Sequence, residues 1–193
     1  MNITKACEIL GEKYSFSAMD TNTVIQELKV RENAKVLDVG TGMGSLAITL
    51  ALNGYRVITG EPGDDESAYA NQNWQENAEK VNVGHLIEFN SFNAIAIPYD
   101  DGFFDAVFCL GSFHHINEPD RVKAIQEFVR VVHSNGIVCF FEPSQKTIQM
   151  LKKTDPSHPE AADPNEYLQG LNLTSRKIEG SNFDAFVIEM GYN

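Results

Sequence analysis

Three glycines on alternate positions, Gly40, Gly42 and Gly44, follow an apolar strand-like run and precede a helical one. Because glycine has no Cβ, it adopts unusual φ values and lets the main chain approach a ligand closely. Backbone N–H groups at such a turn, with a helix N-terminus behind them, form a concavity that favours an anionic group. The sequence therefore predicts that this turn binds the anionic end of a ligand.

Two acids flank the glycine turn. Asp38 lies at the end of the first strand and suits a cationic amine, directly or through water. Glu61 ends the second strand, where an acid in open α/β sheets commonly accepts hydrogen bonds from ribose hydroxyls. Together they indicate a nucleoside joined to an amino acid. The alternative is that Asp38 caps the helix and Glu61 is a surface acid.

The turn departs from a dinucleotide fingerprint, which would read GxGxxG. Ser45 stands where the third glycine or alanine is expected, and the third glycine comes one residue earlier, at Gly44. This departure disfavours a nicotinamide-dependent oxidoreductase, which we keep as a competing hypothesis.

The segments that position these residues alternate between strand-like and helical patterns. Helices are predicted at 21–30, with Thr21 or Thr23 as the cap, at 45–54, at 65–80, and from 118 to a stop at Ser134-Asn135-Gly136. Strands are predicted at 35–40, 55–61, 85–89, 103–110, 137–142, 174–180 and 183–190. Three prolines exclude one continuous helix over 153–167. The pattern predicts an α/β fold: a Rossmann-like, doubly wound, seven-stranded sheet, mostly parallel with a C-terminal antiparallel strand and helices on both faces.

The bulk composition narrows the function classes. The 193 residues are enough for one α/β domain, and the formal net charge of -12 disfavours nucleic acid and anionic membranes as partners. The three cysteines show no zinc spacing, so the sequence predicts no metal site and a reducing, cytoplasmic setting. We expect a soluble protein whose partner is a small molecule.

Two stretches carry a family resemblance. VLDVGTGMG, at 36–44, resembles the first motif of the class I S-adenosylmethionine-dependent methyltransferases, and the chain is most similar to their small-molecule, quinone-biosynthesis-like group. The stretch from Phe92 to Ile116 resembles the block that in this family reads Asp-Ala, Leu-Pro-Phe, Phe-Asp and His-His. The resemblance covers about residues 34–143.

The resemblance implies a cofactor, S-adenosyl-L-methionine, and a set of binding residues. Asn93 replaces the usual Asp as acceptor for the adenine amino group, and the N–H of Ala94 serves a ring nitrogen. Leu110 offers backbone to the methionine end, and Tyr14 either closes over the cofactor or packs in the core. The complete implied set is Tyr14, Asp38, Gly40, Thr41, Gly42, Gly44, Glu61, Asn93, Ala94 and Leu110.

The implied activity is methyl transfer to a small-molecule acceptor. A catalytically idle protein of the same fold, binding S-adenosylmethionine or its demethylated product, is the alternative. His114 and His115 follow strand four and either act as a base or hold the loop by packing. We expect an N-terminal helical segment (1–33), a cofactor-binding core (34–143) and a substrate-side segment with the closing strands (144–193). The N-terminal segment and residues 154–167 are predicted to select the acceptor.

Overall fold

The computed structural model describes residues 1–64, 69–70 and 72–191. The helices are α1 (Ile3–Leu10), α2 (Glu12–Leu28), α3 (Ser45–Leu52), α4 (Trp74–Lys80), α5 (Arg121–Val131) and α6 (Gln145–Thr154). The strands are β1 (Lys35–Val39), β2 (Arg56–Gly60), β3 (Ile87–Phe89), β4 (Phe104–Leu110), β5 (Val132–Pro143), β6 (Arg176–Ile178) and β7 (Phe183–Glu189). Of the helices in these ranges, none has the length and apolar character needed to cross a bilayer.

The seven strands form one sheet in the order β3-β2-β1-β4-β5-β7-β6. Neighbouring strands from β3 to β5 pair in parallel, whereas β7 pairs antiparallel with both β5 and β6. The predicted α/β class, with a mostly parallel sheet and an antiparallel C-terminal strand, is confirmed.

The sheet separates two apolar cores because successive side chains of a strand point to opposite faces. Val36 of β1 packs with residues of α2 and α3, while its neighbour Leu37 packs with residues of α5. On β4, Phe108 and Val107 divide in the same way. The apolar runs therefore encode burial on both sides, as expected for a central strand between helical layers.

The predicted caps of the second helix are wrong. Thr21 and Thr23 lie inside α2, which starts at Glu12. Their hydroxyls donate to the carbonyls of Ser17 and Met19, both at 2.9 Å, four residues earlier in the helix. A threonine that bonds back to its own helix leaves the helix uninterrupted, so the polar residues here do not mark a start.

The predicted helix over 65–80 is too long. Only Trp74–Lys80 is helical, Tyr69 and Ala70 lie in turns, and residues 65–68 and 71 fall outside the described residues. The helix begins directly after Asn73, whose side chain makes no capping hydrogen bond and donates to Glu76 instead. Polar composition alone did not separate the loop from the helix that follows it.

The predicted stop after α5 also lies elsewhere. The helix ends at Val131, and the stretch from Ser134 to Gly136 belongs to β5. A Cβ on Gly136 would lie 2.6 Å from the carbonyl oxygen of Asp105, on the neighbouring strand. The glycine thus allows close approach of β4 and β5, where their register shifts, and is not a helix terminator.

Candidate functional site

A cavity of about 990 Å³ opens at the carboxyl ends of the parallel strands. This edge is where open α/β sheets bind ligands. Seven of the residues expected to bind the cofactor line it: Gly40, Thr41, Gly42, Glu61, Asn93, Ala94 and Leu110. Tyr14, Asp38 and Gly44 do not line it.

The three glycines of the turn have different surroundings. All have positive φ, at 97° for Gly40, 47° for Gly42 and 81° for Gly44. An added Cβ on Gly40 would lie 2.0 Å from Oγ of Ser112, and one on Gly44 would lie 2.9 Å from Cβ of Trp74. On Gly42 the nearest atom would be a backbone oxygen at 3.3 Å. Gly40 and Gly44 therefore serve close packing, whereas Gly42 presents bare backbone to the cavity.

Glu61 joins the end of the second strand to the glycine turn. The carboxylate is almost fully buried and lines the cavity. Its Oε2 accepts a hydrogen bond from the N–H of Gly42 at 2.9 Å. The bond fixes the acid beside the turn, so both ligand-binding elements predicted from the sequence lie in one wall.

Asp38 lies directly behind the turn and is fully buried. Its Oδ2 accepts from the Thr59 hydroxyl at 2.8 Å, and that hydroxyl lies 2.9 Å from Oγ1 of Thr41. Within the part of the chain that the structure describes, Oδ1 has no hydrogen-bond partner. Burial, with a contribution from nearby Glu61, raises the pKa of Asp38 to about 8.

Two other expected residues have local partners. Tyr14 is buried in the core with its hydroxyl 3.0 Å from that of Thr49, which agrees with the packing alternative. Asn93 is exposed at the rim, and its Oδ1 accepts from the N–H of Ile95 at 3.1 Å. This bond orients the side chain and leaves the oxygen a second lone pair for a ligand.

Another part of the cavity wall contains a histidine cluster: His114, His115 and His158. His114 is buried, with Nδ1 2.8 Å from Oε2 of Glu142 at the end of β5. His158 comes from the loop after α6. Sequence reasoning did not identify His158 or Glu142 as site residues, because no motif or periodicity links them to the histidine pair.

Comparison with known proteins finds one family match. A model described as "Methyltransferase domain" matches residues 37–140, more than half of the chain. The 27-O-demethylrifamycin SV methyltransferase of Amycolatopsis mediterranei (strain S699) is 30% identical over 60% of this chain and 41% of its own length. The demethylmenaquinone methyltransferase of Staphylococcus aureus (strain MRSA252) is 29% identical over 79% of this chain and 61% of its own length.

A third relative and two solved structures complete the comparison. The sarcosine/dimethylglycine N-methyltransferase of Halorhodospira halochloris is 38% identical over 57% of this chain and 38% of its own length. The chain thus spans 38% to 61% of the length of these three relatives. A SAM-dependent methyltransferase from Aquifex aeolicus shares the fold at TM-score 0.68 and 20% identity, covering 99% of this chain and 100% of that one. The geranyl diphosphate C-methyltransferase of Streptomyces coelicolor A3(2) shares it at TM-score 0.67 and 13% identity, covering 91% and 79%.

Proposed function

This chain belongs to the methyltransferase-domain family, and we propose that it binds S-adenosyl-L-methionine and transfers the methyl group to a small-molecule acceptor. The observation that carries the proposal is the cavity wall in which the bare backbone of Gly42 and the buried carboxylate of Glu61 lie side by side. One group suits the amino-acid end of the cofactor and the other suits its ribose.

The residues around the turn fit this cofactor. Oδ1 of Asp38 is a hydrogen-bond acceptor with no partner in the described residues. The ammonium of the methionine end can donate to it, either through water or after movement of the turn. The N–H groups of Gly40, Gly42 and Gly44 donate within the chain, so the turn contributes close approach of its bare backbone to the methionine end and not these three donors. Asn93 and Ala94 line the same cavity and serve adenine. The ammonium and the adenine of the cofactor thus each have a polar residue of this chain to bind them.

The chain's contribution to the reaction is mainly alignment. The cofactor supplies a methyl group already activated on a sulfonium, so the protein has to orient the acceptor in line with the departing sulfur and exclude water. The cavity is bounded by Phe16 and Ser17 of α2 on one side and by Met150 and Leu151 of α6 on another. These elements lie outside the family match and are suited to select the acceptor.

We accordingly assign three parts to one domain. Residues 34–143 form the cofactor-binding core, residues 1–33 an N-terminal helical segment, and residues 144–193 the substrate side and closing strands. The formal net charge of -12 supports a small-molecule partner in preference to nucleic acid or an anionic membrane. The cysteines Cys7, Cys109 and Cys139 are unpaired, which supports a reducing, cytoplasmic setting.

Calorimetry tests the cofactor assignment. We expect S-adenosyl-L-methionine and S-adenosyl-L-homocysteine to compete for one site, and reduced nicotinamide dinucleotides not to bind. Turnover is then measured as transfer of labelled methyl from the cofactor to a panel of phenols, enols, thiols and amines. Preferential binding of the nicotinamide would refute the cofactor, and cofactor binding without transfer to any acceptor class would refute the transferase in favour of a non-catalytic binding protein.

A further inference from the structure

Three of the five histidines of this chain meet in the cavity wall, one ring nitrogen from each lying within 4.8 Å of the others. His114 and His115 belong to a 3-10 turn after β4, and His158 comes from the loop after α6. Two separate segments therefore bring their imidazoles to one point. Imidazole nitrogens are common metal ligands, and three of them form one of the protein ligand sets of open zinc sites.

The surroundings of His114 fix its tautomer. Nδ1 lies 2.8 Å from Oε2 of Glu142, and the same oxygen accepts the N–H of Ala162 at 3.1 Å. A carboxylate oxygen accepts, so Nδ1 carries the hydrogen and Nε2 of neutral His114 carries the lone pair. This Nε2 is buried and has no hydrogen-bond partner in the described ranges. A buried imidazole whose second nitrogen is held by a carboxylate is the arrangement that orients histidine ligands of metals.

His158 is oriented in the same sense. Its Nδ1 lies 2.9 Å from the carbonyl oxygen of Pro159, which can only accept. The hydrogen is therefore on Nδ1, and Nε2 has the lone pair. His115 is exposed, and its ring centroid lies 4.3 Å from that of His114 and 5.2 Å from that of His158. Two of the three rings are thus oriented with Nε2 as the metal-binding atom, and the third packs against both of them and against Tyr69.

From this geometry we propose that His114, His115 and His158 bind a divalent transition-metal ion of the zinc class, with Glu142 orienting His114. Neutral imidazoles suit zinc, iron, cobalt and nickel, whereas magnesium and calcium prefer oxygen ligands. With Zn–N distances of about 2.0–2.1 Å, tetrahedral ligand nitrogens lie about 3.3 Å apart, so nitrogens that now lie within 4.8 Å of one another must approach by up to about 1.5 Å. Three protein ligands leave a coordination position for a molecule in the cavity.

This site deepens the proposed function, on which its role rests. An open position suits an acceptor with an ionisable oxygen, such as an enol or a phenol, because the metal stabilises the oxyanion and lowers the pKa of the hydroxyl. The hydroxyl proton passes to solvent. The acceptor carbon or oxygen then forms a bond to the methyl carbon while the bond between the methyl carbon and sulfur breaks. The electron pair of the broken bond returns to sulfur. No oxidation or reduction takes place.

Cobalt titration of the chelator-treated protein tests the site without any cofactor. We expect one equivalent of Co²⁺ to bind, with visible d–d bands of tetrahedral intensity, and Zn²⁺ to displace it. His115→Ala alters an exposed ligand, so the fold is expected to persist, and affinity should fall at least ~100-fold, as should that of His158→Ala. Glu142→Gln should lower affinity by about 10- to 100-fold, because an uncharged amide oxygen accepts the Nδ1 hydrogen more weakly and leaves the imidazole a less basic ligand.

The chain offers matched controls. His85→Ala and His133→Ala remove exposed histidines outside the cluster and should leave Co²⁺ affinity unchanged. Absence of Co²⁺ and Zn²⁺ binding, or equal affinities in the cluster variants and the controls, would overturn the proposal. Affinity for S-adenosyl-L-homocysteine is measured on the same samples. Cofactor binding without metal binding refutes only the metal site, and metal binding without cofactor binding refutes only the proposed function.

Discussion

The two ends of the cavity are assembled by different means. The glycine end comes from one strand-turn-helix unit and the end of the adjacent strand, joined by the bond from Gly42 to Glu61. The histidine end comes from a turn after β4, the last part of β5 and a proline-interrupted loop, joined by Glu142. Local chain geometry creates the first, whereas the second exists only once distant segments have folded together.

This difference has a thermodynamic consequence. Sites without shared contacts respond almost additively to substitution, whereas groups in one hydrogen-bond network do not. The carbonyl oxygen of Tyr69 would be the nearest atom to a Cβ on Gly42, and the ring of the same residue packs on His115. We therefore expect a change at one end to have a much smaller effect on the other end, transmitted through Tyr69.

Gly42→Val should abolish measurable cofactor binding. Gly42 has φ 47° and faces the cavity, so a branched side chain is both strained there and placed in the ligand's space. Calorimetry with S-adenosyl-L-homocysteine should show an affinity loss of at least ~100-fold, about 2.7 kcal/mol. Co²⁺ affinity of the histidine cluster should change far less, because the two ends are connected, within the described residues, through Tyr69.

Gly170→Val is the matched control for strain. Gly170 has φ 88°, lies outside the cavity, and an added Cβ there would meet no atom within 4 Å. It should lose stability of about 1–2 kcal/mol, as expected for a left-handed residue, and keep its cofactor affinity. Equal affinity losses in both variants would show that strain and not occupation of the site causes the effect.

Asp38→Asn should stabilise the free protein, and increasingly so as the pH rises. The folded-state pKa of about 8 lies above the usual aspartate value of 3.8, so between these values the unfolded chain releases a proton that the folded protein retains. The wild type thus loses stability as pH rises towards 8, and beyond it the loss is complete. The difference from the variant should reach a few kcal/mol.

Urea unfolding of both proteins at pH 5, 6.5 and 8 measures this difference. Other titrating groups cancel in the comparison, because the two chains differ at one position. Cofactor affinity of the variant should fall, because the ammonium favours the ionised form of Asp38, which an amide cannot supply. A difference in stability that stays constant across the pH range would contradict the buried, neutral state of Asp38.

The contrast between the two ends also explains what could be predicted from sequence. Gly42 and Glu61 were identified because a strand, a turn and a helix put their backbone and side chains at a fixed edge of a parallel sheet. His158 lies in a segment whose apolar residues follow neither the helical nor the strand spacing, so its position depends on contacts made by α6 and β5. Thr21 was misassigned for a related reason: the same hydroxyl can cap a helix or bond back within it.

Glu61→Gln should weaken cofactor binding about tenfold. The amide oxygen can still accept from the N–H of Gly42, so the turn is retained and only the charge towards the ribose hydroxyls is lost. Glu88→Gln removes an exposed acid on the neighbouring strand and should have no effect. A 2′-deoxy analogue of S-adenosyl-L-homocysteine should show a smaller difference in affinity between the wild type and Glu61→Gln. An affinity difference as large as that for the natural ligand would show that Glu61 does not contact the 2′-hydroxyl.

Asn93→Asp should tighten cofactor binding by about 0.5–1 kcal/mol, the smallest effect in the series, because a charged acceptor makes a stronger hydrogen bond to the adenine amino group than an amide does. Its Oδ1 already accepts from the N–H of Ile95, and a carboxylate keeps that bond, so the loop geometry is preserved. Asn172→Asp, on an exposed residue outside the cavity, controls for the added charge. A hypoxanthine analogue lacks the amino group and should bind the wild type and the variant equally. If the variant still bound this analogue more tightly, the added charge would act on the ligand at long range, and a contact between residue 93 and the adenine amino group would be excluded.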